Sequence, residues 1–163
     1  MSIAIDLTRL VAYSDHERAK WKSWVAADPA RLATPFQNGG RFPTLGNLLD
    51  HIFLIEARHL SRLQGSALPE STGVTAGDWP ALFAYADTVR ANLSAFVVAL
   101  DEQAANESIT FKIPSGAFTL TRRKLTLHIL LHEVRHLAQI AYAVRAAGYE
   151  PPGEHDVFFF PGF

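Results

Sequence analysis

The sequence predicts an all-α protein: a four-helix bundle with a short β-hairpin before the last long helix. Three observations predict it. Four segments carry apolar residues at the helical spacing of three and four. Stretches bearing proline and glycine separate them. One stretch, ESITFKIPSGAFTL, alternates apolar and polar residues instead. The chain of 163 residues is 48% hydrophobic and 19% charged, which suits one domain, 1–163, with a full core.

The first helix is expected from about Ile5 to Ala27, with Leu7, Leu10, Val11, Trp21, Trp24 and Val25 among its apolar positions. Asp28-Pro29 ends it, because a residue before proline is pushed out of the helical region. Pro35, Asn38, Gly39 and Gly40 mark a loop that runs to Pro43. Thr44 suits the N-cap of a second helix that stops near Gly65, with Leu45, Leu48, Ile52, Ile55 and His59 in period. A loop rich in Gly, Pro, Ser and Thr follows. The third helix begins around Asp78, with Pro80 in its first turn, where a missing N–H costs little. In the alternating stretch, Pro114-Ser115-Gly116 supplies the turn of a hairpin between Glu107 and Leu120. Thr121 can cap a last helix to about Ala147, and Gly148 suits its C′ position. The tail, YEPPGEHDVFFFPGF, is expected to pack on the bundle or on a partner subunit, since exposed phenylalanines favour association.

Composition narrows function. A formal net charge of −1 argues against a dedicated nucleic-acid binder. Arg122-Arg123-Lys124 reads as a solvated helix start. There is no cysteine, hence no disulfide, thiolate ligand or thiol nucleophile, and a cytoplasmic protein fits. MSIAIDLTRL lacks the apolar core of a signal peptide, and no apolar run approaches the roughly 18 residues of a membrane span.

The chemistry gathers in LTLHILLHEVRHLAQI, which holds His128, His132 and His136 at four-residue spacing. Residues four apart share a helix face, so His132 and His136 can turn nitrogens toward one ion. Zinc needs a third protein ligand, and a catalytic site leaves a further position open. His128 and His136 lie about 80° apart around the axis, so three ligands from one straight helix reach one ion poorly. A ligand from another helix serves better, and the candidate is His51, near the start of the second helix; His59 lies two turns further on. Imidazole also suits nickel and copper. Packing histidines, each with a hydrogen-bond partner, are the plainer alternative. His132-Glu133-Val134-Arg135-His136 also matches the H-E-x-x-H pattern of zinc proteases. The extended form fails, because Gln139 and Tyr142 stand where a Gly and a third His belong.

His51 on the second helix, followed by HEVRHLAQ on the last, resembles the DinB/YfiT-like superfamily of metal-dependent proteins. That family's pattern is a His on helix two and a His-x3-His-Arg-Gly-Gln signature on the last long helix. The matching positions are His51, His132, His136 and Gln139, while Leu137-Ala138 replaces Arg-Gly. The resemblance covers nearly the whole chain. It implies a four-helix bundle holding a divalent metal, zinc or nickel, on His51, His132 and His136, with open positions for water or a thiol. It also implies a small-molecule substrate and a possible homodimer. Some relatives use external low-molecular-weight thiols, so a thiol-dependent transferase and a hydrolase are both expected activities. The alternative is a non-catalytic metal-stabilised bundle or small-molecule binding module.

Individual roles follow. Glu133 is a candidate base, although it is displaced about 100° from His132 and reads equally as a surface or supporting carboxylate. Gln139 is the candidate to orient a ligand. His128 is expected to line the pocket as a hydrogen-bonded neighbour. Asp50 and Glu56 read as polar-face residues, His16 as solvated, and Trp21, Trp24 and Phe53 as core or pocket wall.

Overall fold

The computed structural model describes residues 6–36, 41–75 and 77–162. It contains four long helices: α1 (Leu7–Ala27), α2 (Leu45–Gln64), α3 (Trp79–Ala99) and α5 (Arg122–Ala146). The short helix α4 (Glu102–Asn106) and an antiparallel hairpin, β1 (Ser108–Ile113) with β2 (Gly116–Thr121), lie between α3 and α5. The predicted four-helix bundle with a hairpin before its last helix is therefore the fold observed.

Local chemistry sets the helix ends. The Asp6 carboxylate accepts from the backbone N–H of Thr8 at 2.9 Å and starts α1. Thr44 and Asn47 form a capping box at the start of α2. Asp78 caps α3, and Thr121 caps α5. Gly65 and Gly148 end α2 and α5 at φ 67° and 84°, the left-handed region that favours glycine. Ile5, Asn38, Gly39 and Gly40 lie outside the described residues.

Two short helical pieces escaped the sequence reading. Asp28 ends α1 as expected, but its side chain also accepts from the N–H of Ala30 and opens a 3-10 turn, Pro29–Ala33. Asp101 caps α4 through the N–H of Ala104 at 2.7 Å. Only Ala105 of α4 is buried, so the segment carries no amphipathic stripe to reveal it.

Helices α1 and α2 each pack against both α3 and α5. Their apolar faces form two clusters. One gathers Trp21, Trp24, Leu48, Ile52, Phe53, Phe83, Ile140 and Val144. The other gathers Val11, Leu60, Leu63, Leu93, Leu125 and Ile129. Along every long helix a charged residue falls between the two: Arg18, Glu56, Arg90 and Glu133, all buried. Glu56, expected on a polar face, instead accepts from both arginines across the bundle. Burial of these charges is tolerable because each meets an opposite charge and its remaining lone pairs or N–H groups are bonded. Arg18 Nη1, for example, donates to the Ala86 carbonyl at 3.1 Å.

The tail packs along α1. Trp24 Nε1 donates to the Glu150 carbonyl at 2.8 Å, and the Tyr13 hydroxyl donates to the His155 carbonyl at 2.7 Å. The His155 ring stacks on Trp21 and pairs with Glu17. Phe158 and Phe159 remain exposed. Among the described residues no helix is long and apolar enough to cross a membrane.

Candidate metal centre

Helices α2 and α5 pack against each other, and their facing sides carry the histidines. His51 stands in the second turn of α2 and is half-buried, while His132 and His136 on α5 are buried. The His51 ring lies 5.3 Å from that of His132 and 5.4 Å from that of His136, centroid to centroid. One ring nitrogen from each of the three lies within 4.8 Å of the other two. The structure thus brings together residues that stand 81 to 85 positions apart in sequence.

The donors suit a divalent ion. Two nitrogens on one tetrahedral zinc, at about 2.0–2.1 Å from it, stand roughly 3.3 Å from one another. Nε2 of His132 and Nε2 of His136 are 3.1 Å apart, so the α5 pair needs little rearrangement. Nδ1 of His136 donates to Oε1 of Gln139 at 2.6 Å, which leaves its Nε2 as a bare lone pair. Burial, then the neighbouring His136, His51 and His128, holds His132 down at about 3. Burial followed by His136 and three arginines, Arg41, Arg58 and Arg135, lowers His51 to about 4. His136 is lowered too, chiefly by burial. All three are neutral imidazoles near pH 7, the form that ligates metal.

The other sequence candidates sort by geometry. His128 lies 5.6 Å from His132 and 5.2 Å from His59, ring to ring, and so belongs to the next histidine pair along α2 and α5. His59 also packs on Phe111 of β1. Glu133 points elsewhere than a metal-site base would: its carboxylate accepts from Ser14, Arg18 and Arg90 inside the bundle. The two guanidinium groups, acting against burial, hold it ionised at about 2. The cause is helical phase, since Glu133 lies about 100° around α5 from His132. Asp50 accepts from the Thr72 hydroxyl at 2.6 Å and takes no part in the triad. His16 is partly buried and packs on Phe160 instead of standing in solvent. Trp21, Trp24 and Phe53 belong to the core.

Three residues near the site were missed from sequence. The Phe42 ring covers His51 at 4.6 Å and approaches His136 at 6.4 Å. Arg41 lies over that ring, its guanidinium carbon 5.3 Å from the centroid. Arg135 shares the histidine side of α5, about 60° from His132. Its position was readable from helical phase, whereas Arg41 and Phe42 sit in a loop that has no period to read.

The fold and site define a class: a helical bundle with a histidine triad, able to hold a metal ion, between its second and last long helices. The DinB family model matches residues 1–159, and the chain belongs to the DinB family. The structure is similar to that of YfiT from Bacillus subtilis, at a TM-score of 0.69 and 18% identity, covering 92% of this chain and 94% of that one. YfiT is described as a probable metal-dependent hydrolase with an unusual four-helix bundle topology. No curated protein matches the chain in sequence.

Proposed function

We propose that the chain is a metal-dependent hydrolase acting on a small molecule, with His51, His132 and His136 holding a zinc or nickel ion. The observation that carries this reading is the triad itself: three neutral imidazoles within 4.8 Å, two of them buried and the third half-buried. The description of YfiT as a probable metal-dependent hydrolase supports the same class. A bound divalent ion supplies Lewis acidity and lowers the pKa of a coordinated water or thiol. The chain's own residues prepare the site. Gln139 fixes the tautomer of His136. Phe42 shields one side of the histidines from water. With its carboxylate tied to Arg18 and Arg90, Glu133 is assigned to the bundle, not to proton transfer.

The test is elemental analysis of the purified protein beside His132→Ala, joined to a hydrolysis screen of esters, amides and phosphoesters. Activity should vanish with a chelator and return with zinc or nickel. A chain without cysteine takes any thiol from solution, so a second arm offers electrophiles with low-molecular-weight thiols. Metal uptake with thiol conjugation and no hydrolysis would replace hydrolase by transferase. Metal uptake without turnover in either arm would assign a binding module. Equal metal content in the wild type and His132→Ala would remove the site.

A further inference from the structure

We propose that Arg41 and Arg135 form an anion clamp at the mouth of the histidine site, so that the substrate carries an oxyanion group, a carboxylate or a phosphate, beside its reacting bond. This rests on the triad being the reaction centre.

Two different elements deliver the cations to one place. Arg135 lies between His132 and His136 in sequence, on the histidine side of α5, and is exposed. Its side chain therefore leaves α5 about 60° around the axis from His132 and is exposed to solvent. Arg41 comes from the loop before α2. The ring beneath it, Phe42, touches both His51 and His136, so a single aromatic ring separates that guanidinium from the triad.

The other nearby arginines are committed. Arg18 and Arg90 are held by Glu56 and Glu133. Arg58 donates to the carbonyls of Pro69 and Glu70 at 2.9 and 2.6 Å. Arg62 lies over Phe111. Among the described residues, neither Arg41 nor Arg135 forms a salt bridge. The neighbouring carboxylates are already engaged, Glu56 and Glu133 by arginines and Asp50 by Thr72. The result is two uncommitted cations beside the triad on a chain of net charge −1. A cluster of charges of one sign concentrates ligands of the other, and guanidinium groups recognise carboxylate and phosphate through paired N–H donors.

The test uses metal-loaded protein and three probes: acetate, inorganic phosphate and the uncharged acetamide. Binding is followed by calorimetry in the wild type, Arg41→Gln, Arg135→Gln, the double variant and Arg135→Lys, with metal content measured in each. Both variant positions are exposed, so folding should persist. At least one anion should bind the wild type, acetamide should not, and the double variant should lose about tenfold or more in affinity at unchanged metal content. Arg135→Lys should retain more anion affinity than Arg135→Gln. The stronger anion then identifies the substrate's group. Equal anion affinity in the wild type and double variant, with metal retained, overturns the clamp and leaves the metal reading standing. No metal uptake by the wild type overturns the metal reading, and the clamp with it.

Discussion

Nδ1 of His136 lies 2.6 Å from Oε1 of Gln139, less than one turn further along α5. The contact makes Nδ1 the donor and turns the lone pair of Nε2 toward Nε2 of His132. Without it, the ring is free to exchange tautomers and rotate. Gln139→Leu should therefore weaken metal binding by about 10- to 100-fold, measured by competition with a chromophoric chelator. Gln139 is exposed, so the melting temperature of the metal-free protein should scarcely move. Unchanged metal affinity would remove Gln139 from the site.

Glu133 tests the division between scaffold and site. Its carboxylate accepts from Ser14, Arg18 and Arg90 in the layer that separates the two apolar clusters. Truncation strands two buried guanidinium groups with only Glu56 and the partly exposed Asp15 to balance them. Glu133→Ala should lower unfolding free energy by about 3–5 kcal/mol, read from urea denaturation. Metal bound per folded chain should stay the same. Full stability joined to a large loss of turnover would instead return Glu133 to the role of base.

This layer marks where sequence reading stops. Long periodic segments and their caps were legible, because Thr44, Asp78, Thr121, Gly65 and Gly148 act on their own neighbours. The α5 histidine pair was legible for the same reason, and His51 followed from the demand for a ligand outside α5. Arg18, Glu56, Arg90 and Glu133 are different. Each sits on an apolar helix face, and its burial makes sense only once three other helices supply the opposite charges. A one-dimensional pattern does not contain that pairing, so Glu56 read as a surface residue and Glu133 as a possible base. Phe42 and Arg41 were hidden because a loop places them through its tertiary path.

Acidification should destabilise the metal-free protein before the carboxylates titrate. His59 and His132 are each held at about 3, mainly by burial, against an ordinary value of 6.5. Above pH 6.5 both folded and unfolded chains keep them neutral, and this contribution to stability is fully present. Below it, the unfolded chain takes up protons that the fold refuses, so stability is lost progressively as pH falls toward 3. Glu133 is also depressed, but its loss begins only below about 4.5. The window from pH 7 to 5 therefore isolates the histidines. The melting temperature, followed by circular dichroism, should fall by a few degrees or more across it. A flat profile would mean that these imidazoles are hydrated in the fold.

His128 offers the sharpest contrast with His51. On sequence alone the two compete for the third ligand position, and helical phase already disfavours His128, because three ligands from one straight helix reach one ion poorly. The structure weighs the same way. His51 approaches both partners almost equally, at 5.3 and 5.4 Å, from a different helix. His128 approaches His132 at 5.6 Å but stands two turns from His136, with its other face against His59. An ion shared by His132 and His136 is therefore in reach of His51 and out of line for His128. Loss of a direct ligand should cost more than the loss of a supporting hydrogen bond, so His51→Ala should weaken metal binding by more than about 100-fold. His128→Ala should stay within roughly threefold of the wild type, the scatter expected when no ligand or ligand partner is touched. The reverse order, measured with the same chelator under the same conditions, would place the ion one turn further toward the start of α5 and make His59 the cross-helix ligand.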